Sequence, residues 1–258
     1  MKTKILFYVI VMLLVIPFTN ATPNENFWYK FEGNTNDVTG KADLSTSGSP
    51  AYVDGKLGQG IKCSVNNYVY FNNNFNDTTT TALSYAFWIK LDSLSATQFI
   101  FEDVNRRIRP QIVTSERFRA GFSTDAGWRN PYISMTSLSG WNHIVVVLEN
   151  NNNAVIYLNG TLTNSTIDTG TLLPPDDTAY FCRPMDENAN VLINPIDDFR
   201  FYLGESLTQA EVNALYNNGT GTNLSLSNAT APPPPPQPPT ISAGFNISID
   251  NFYKNDVL

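Results

Sequence analysis

The chain has 258 residues, 42% of them hydrophobic and 12% aromatic, which is material for one large packed domain with tails or for two small ones. Charged residues make up only 15%, and a formal charge of -7 argues against nucleic acid or an anionic membrane as the main partner, because both need a basic patch. Asn, Ser and Thr fill the polar positions instead, which suits strands and turns better than helices.

Lys2 and Lys4 open the chain, an apolar run extends from Ile5 to about Phe18, and Thr19-Asn20-Ala21 follows. The pattern predicts a secretory signal peptide over 1–21, cleaved after Ala21. The run is short for a transmembrane span, and no later stretch is long and apolar enough, so no membrane span is expected in the mature chain. Strands are predicted at Phe27 to Phe31, after Gly60, at Tyr68 to Phe71 and at Leu83 to Leu91. Further strands fall at Phe99 to Phe101, Ile112-Val113, Phe118 to Phe122, Trp141 to Leu148, Ala154 to Leu158, Tyr180-Phe181 and Ile196 to Tyr202. Asn159-Gly160 is a type I′ hairpin signal. One helix is predicted late, opened by the capping box Thr208-Gln209-Ala210-Glu211 and stopped at Gly219. Many short strands with turn signals between them define an all-β, two-sheet antiparallel sandwich or jelly roll with one short C-terminal helix.

Past Gly219 the composition changes. Residues 220–240 read as a Thr/Asn/Pro-rich linker, whose prolines from Pro232 to Pro236 with Pro238 and Pro239 form a polyproline II rod. The tail 241–258 alternates like a lone strand at Phe245, Ile247 and Ile249, and one strand cannot fold alone.

Cys63 and Cys182 are the only cysteines, read either as one disulfide in an oxidising compartment or as two buried thiols. Glycosylation sequons stand at Asn76, Asn159, Asn164, Asn218, Asn223, Asn228 and Asn246, with Asn20 beside the cleavage site. The basic residues cluster most at Arg106, Arg107 and Arg109, then Arg117 and Arg119. That is the composition of a solvated face or of a patch for an anionic glycan.

Three ordered segments carry a family likeness: Trp28 to Gly40 with Tyr52 to Gly60; Trp141-Asn142-His143 leading to Leu158-Asn159-Gly160; and Ile196-Asp197-Asp198-Phe199 followed by Leu207 to Tyr216. Together they resemble the laminin-G-like jelly-roll domain of the concanavalin A-like lectin/glucanase superfamily, over roughly residues 27 to 219, within a domain set at 22–219. The resemblance implies two packed antiparallel sheets, glycan or protein binding, and often calcium. Its ligands would come from Glu32, Asn34, Asp37, Asp197 and Asp198, with Glu32 where the family usually carries Asp. Alternation along a strand would send Asp197 and Asp198 to opposite faces. His143 is implied to pack and to make a satisfied hydrogen bond.

The superfold also houses glucanases, which need two facing carboxylates. The nearest candidates, Glu102-Asp103 and Asp186-Glu187, are adjacent pairs that diverge on a strand, so the chain is expected not to be an enzyme. The expected function is recognition or adhesion outside the cytoplasm, binding glycans or glycoproteins. Its site is drawn at Trp128, Arg129, Asn130 and Tyr132, which combine an aromatic platform with polar groups in a segment read as a loop. The alternative is a structural surface protein of a cell coat, an appendage or a virion. It would assemble through contacts with other surface proteins or with copies of itself, supported by the rod, the sequons and the unfinished strand. A glycoside hydrolase is the third reading.

Overall fold

The computed structural model of the protein describes residues 24–71, 82–92, 94, 96–114, 116–136, 138–149, 153–167, 170–173, 178–185 and 189–228. The signal segment, the rod, the tail, Asn76, Asn246, Asp186 and Glu187 lie outside the described residues.

The first strands are β1 (Phe27–Tyr29), β2 (Ser45–Ser47), β3 (Ala51–Asp54), β4 (Gln59–Lys62), β5 (Tyr68–Phe71) and β6 (Leu83–Leu91). Next come β7 (Gln98–Phe99), β8 (Phe101–Asp103), β9 (Ile108–Val113), β10 (Arg117–Thr124), β11 (Gly127–Arg129) and β12 (Tyr132–Ser134). The last are β13 (Gly140–Leu148), β14 (Asn153–Leu158), β15 (Thr161–Ile167), β16 (Ala179–Phe181) and β17 (Ile196–Leu203), followed by helix α1 (Gln209–Tyr216).

One layer is an eight-stranded antiparallel sheet in the order β15-β14-β13-β6-β17-β4-β3, with β1 pairing the same edge of β17 beyond its bridge to β4. The other layer is two smaller sheets, β2-β5-β16-β8 and β7-β9-β10-β11 with β12 beside β10. They adjoin where Ile100 N donates to Pro110 O at 3.0 Å.

Between the layers lies an aromatic core. Phe181 packs edge-on against Phe199 at 5.0 Å and lies 5.1 Å from Phe101 and 5.7 Å from Phe71. Such ring pairs contribute beyond their area burial. A second apolar cluster lies on the outside of the large sheet, where Ala86, Val145, Val147, Val155 and Tyr157 meet Val212 and Leu215 of α1. The central strands β6, β13 and β17 are thus covered on both faces; β6 and β13 are mostly apolar, while β17 buries Asp197, Asp198 and Arg200 on its outer face.

The large sheet contains a bulge. Asp197 pairs with Trp88, yet Arg200 pairs with Ala86, and Asp198 has φ 50°. The extra residue resets the alternation, so Ile196, Phe199 and Phe201 all face the core. Asp197 and Asp198 consequently both serve the outer face, and the simple alternation expected for them does not hold.

The Thr208 capping box forms as predicted, and the helix ends on Asn217 in the left-handed conformation rather than on Gly219. Asn159 and Gly160 both have positive φ, at 51° and 77°, as a type I′ turn requires. Past the 219 boundary the chain still packs on the sheet: Leu226 is buried in the outer cluster, and Arg200 donates to the carbonyls of Thr222 and Leu224. Cys63 and Cys182 form a disulfide, joining the end of β4 in one layer to the end of β16 in the other.

Candidate functional site

On β10, Phe118, Ala120 and Phe122 enter the core, so Arg117, Arg119, Gly121 and Ser123 face out. The segment read as a loop is in fact two three-residue strands hydrogen-bonded to β10. Trp128 stands opposite Ser123 and Tyr132 opposite Arg119, on that outer face. Trp128 is 42% and Tyr132 46% exposed. The Arg117 guanidinium lies 4.3 Å from the centre of the Tyr132 ring, within cation–π range.

Gly121 lets the group converge. A Cβ there would lie 2.9 Å from the Arg109 carbonyl, 3.3 Å from Asn130 Oδ1 and 3.5 Å from the Trp128 ring. Asn164 Nδ2 donates to Tyr132 O at 2.6 Å and ties β12 to the large sheet. Arg129 does not join the platform. It pairs with Phe122 on the opposite face, and its Nη1 donates to Ala126 O and Trp128 O, holding the β10–β11 turn. The structure therefore brings together Trp128, Asn130 and Tyr132 of the expected four, and adds Arg117 and Arg119.

A second aromatic group lies on the outer face of the same layer. Tyr68, Tyr70 and Tyr180 form a triangle of rings with centroids 6.2, 6.1 and 5.9 Å apart. The Arg183 guanidinium sits 4.5 Å from the Tyr68 ring and 6.0 Å from the Tyr180 ring. The signal for it was present in the sequence. Tyr68-x-Tyr70 with Val69 and Phe71 in the core is a two-residue alternation, and both tyrosines must leave by the other face.

The expected calcium donors do not converge. Asp37 accepts from the backbone of Trp28, Thr39, Lys41 and Ala42, so its carboxylate folds its own turn. Asn34 hydrogen-bonds Glu32 O and Asn36 N, while Glu32 accepts from Gln59 N at 3.0 Å. Asp197 Oδ2 accepts from Lys56 N at 2.7 Å and Leu57 N at 2.8 Å, pinning the β3–β4 loop. Asp198 pairs with Arg200 and accepts from Trp28 Nε1. Among the described residues no three His, Cys, Asp or Glu side chains gather as a metal site.

Asp197 has a chemical property of its own. Its Oδ1 is buried and meets no hydrogen-bond donor among the described residues. Burial first, and the neighbouring Asp198 charge after it, push its carboxyl up to about 7, against the opposing backbone amides. A folded-state pKa raised in this way favours the fold fully below about 4, and the benefit is lost as pH rises through about 7. The Asp197→Asn variant cannot ionise, so its melting temperature should fall less than the wild type's between pH 4 and 8. Parallel melting curves across that window would show that Asp197 ionises as readily in the fold as in the unfolded chain.

His143 is buried between Trp88 at 4.9 Å and Tyr216 at 6.0 Å. Burial holds it neutral, with its pKa lowered to about 3. It packs as expected, yet its Nδ1 has no partner among the described residues, so the expected hydrogen bond is not made there. Glu102 and Asp103 are both buried and serve structure. Glu102 pairs with Arg109 Nε at 2.6 Å and accepts from Met185 N, while Asp103 accepts from Ile108 N.

Several sequons are already engaged. Asn159 accepts from His143 N and donates to Asn142 Oδ1, and Asn164 holds Tyr132 O. Asn218, Asn223 and Asn228 are exposed on the α1 side, away from the aromatic face.

Two antiparallel layers, one of them presenting exposed aromatic rings among arginines and an amide, define a β-sandwich. The chain belongs to the concanavalin A-like lectin/glucanases superfamily, whose laminin-G-type family model matches residues 63–213. No curated protein matches it in sequence. Among solved structures it is similar to the binding domain of Paraclostridial Mosquitocidal Protein 1, at 18% identity and TM-score 0.63, over 76% of this chain and 52% of that one. It is similar to the binding domain of botulinum neurotoxin serotype D, at 17% identity and TM-score 0.60, over 75% of this chain and 51% of that one. It is also similar to domain 4 of an extracellular GH43 arabinanase from Geobacillus stearothermophilus, solved in complex with arabinotriose, at 16% identity and TM-score 0.61 over 78% of this chain and all of that one. The chain thus spans about half the length of the toxin binding domains. At these identities the likeness is one of fold.

Proposed function

We propose that the chain is a non-catalytic glycan-recognition module of a secreted protein. The sugar is held on the outer face of the smaller sheets by Trp128, Asn130 and Tyr132 with Arg117 and Arg119. The observation that carries this reading is one outer sheet face shared by Trp128, Asn130, Tyr132, Arg117 and Arg119, with Trp128 and Asn130 crowding Gly121 and Arg117 lying over the Tyr132 ring. Sugar C–H faces stack on rings, and hydroxyls need fixed donors and acceptors beside them. The signal-like N-terminus and the disulfide support an oxidising, extracellular setting. The solved complex of the arabinanase domain with arabinotriose shows that a module of this fold can hold a sugar chain, and it lends weight to the reading without naming the ligand here.

The test is a glycan-array screen of the mature chain, followed by calorimetry on the best ligand. Trp128→Ala should weaken binding at least tenfold, a loss of about 1.4 kcal/mol or more, with the melting temperature unchanged because the ring packs little. Binding that survives loss of both Trp128 and Tyr132 would remove this face from the account. Run with calcium and again with a chelator, the screen also tests the metal. Because the candidate carboxylates are taken up by backbone amides and by Arg200, the signal is expected in both arms.

A further inference from the structure

The tyrosine triangle lies apart from the proposed sugar platform, and its surroundings suit a different ligand. On the β2 edge Ser45 pairs with Tyr70 and Ser47 with Tyr68, so small side chains leave that side of the rings open, while Glu102 stands opposite Tyr180 and Arg183 lies over Tyr68 on the others. The three rings are half-buried, and their hydroxyls have no hydrogen-bond partner among the described residues. Tyr and Arg together are the residue types that carry protein interfaces, and tyrosine-lined surfaces are where polyproline II segments dock. Proline rings stack on the aromatic faces. The carbonyls of a polyproline II segment make no internal hydrogen bonds and can accept from hydroxyls such as these.

Such a segment is present in this chain, from Pro232 to Pro239, interrupted only by Gln237 and carrying no charge. A polyproline II strand has three residues per turn and rises ~3.1 Å per residue, so one turn of ~9.3 Å is long enough to lie across the three rings. We infer that the Tyr68–Tyr70–Tyr180 triangle docks the proline segment of a second copy of the chain.

The second copy follows from where the described chain ends. Residues 222–226 are held by Arg200 and Glu25 on the outer face of the large sheet, the α1 side. The triangle is on the outer face of the opposite layer. Pro232 comes four residues after Asn228, ~14 Å of chain at most. A proline sequence of this length is expected to extend ~25 Å as a semi-rigid polyproline II spacer, which disfavours its turning back around its own sandwich. A contact in which the rod of one copy meets the face of the next closes into a dimer where two copies exchange rods, into a ring where the rotation closes, and otherwise builds an open series, the outcome inferred here.

The experiment is sedimentation of the mature full-length chain over a wide concentration range, with and without a peptide of residues 229–240. The inference expects a concentration-dependent ladder of masses that the peptide dissolves to monomer. Tyr70→Thr with Tyr180→Thr should weaken assembly about tenfold or more. Because those changes touch the sheet, Pro233→Gly with Pro235→Gly is the second variant: it lies outside the described fold and should abolish assembly with the melting temperature unchanged. A chain that stays monomeric at high micromolar concentration, a peptide that leaves the ladder intact, or variants that assemble like the wild type would each overturn the inference. So would a neutral oligosaccharide that binds the triangle while the peptide does not.

Discussion

Replacing both Cys63 and Cys182 with alanine should lower the unfolding free energy by about 4–5 kcal/mol, the largest effect expected of any change in the chain. The two residues are 119 apart in sequence, with Cα atoms 6.0 Å apart in the fold. A cross-link closing so long a loop removes much of the entropy of the unfolded chain, and the loss grows with loop length. Both cysteines are buried in the main core, and the bridge is a covalent link between layers otherwise held by apolar contact. Urea unfolding of the wild type and the double variant, each with its own slope, measures the difference. A loss under about 1 kcal/mol would mean that the unfolded chain keeps the two segments together without the bond.

Arg200→Met should cost about 3–5 kcal/mol by a different route. The guanidinium is fully buried over the Trp28 ring, paired with Glu25 at 3.0 Å and Asp198 at 3.1 Å. Removing it leaves two carboxylates in a dry site with no cation, which is the expensive half of any buried ion pair. Burial alone would raise the Glu25 pKa. The Ser225 hydroxyl, the Leu226 amide and Arg200 more than offset that, and the net shift is downward. A depressed folded-state pKa gives stability that is present above the unfolded value near 4.3 and is lost as pH falls through the lower one. The variant should therefore lose part of the wild type's acid sensitivity. The triple change Arg200→Met, Glu25→Gln and Asp198→Asn should recover most of the loss. If the triple variant is as unstable as the single one, the hydrogen bonds to Thr222 and Leu224, and not the charges, hold this corner.

Much of the sandwich was legible in the sequence because covering a sheet on both faces leaves an unmistakable record. Leu83 to Leu91 and Trp141 to Leu148 are mostly apolar and Ile196 to Tyr202 is rich in aromatic residues, and they are the three central strands of the large sheet. Edge strands leave a weaker record. Ser45–Ser47 is Ser-Thr-Ser with no apolar residue, and Ala51–Asp54 is only four residues long with both ends exposed and none of its side chains fully buried. Gly127, Asn130 and Pro131 made residues 125 to 132 look like a loop, yet three residues are enough to pair with a long neighbour such as β10. The bulge at Asp198 was invisible for a different reason: alternation is a rule about regular strands, and one extra residue inverts every side chain beyond it. The metal expectation failed to assemble on similar grounds. A carboxylate that caps a turn and one that ligates an ion have the same sequence. Only the fold shows that Asp37 is already saturated by four backbone amides. The aromatic face was half legible, in Trp128 and Tyr132. Arg117 and Arg119 were legible as part of a basic cluster, but nothing in the sequence set them beside Trp128 and Tyr132 until β10 paired with β11 and β12.

The Arg200 clamp also has a mechanical meaning. It joins Glu25, near the start of the described chain, to residues 222–226, near its end. A pull applied between residues 24 and 228 therefore enters and leaves the domain at nearly one point. The load passes through a few charge-assisted hydrogen bonds and does not cross the sandwich. The layers, the disulfide and the aromatic face would feel almost no tension until those bonds part, and a tethered module could stay folded while its attachment bears the strain.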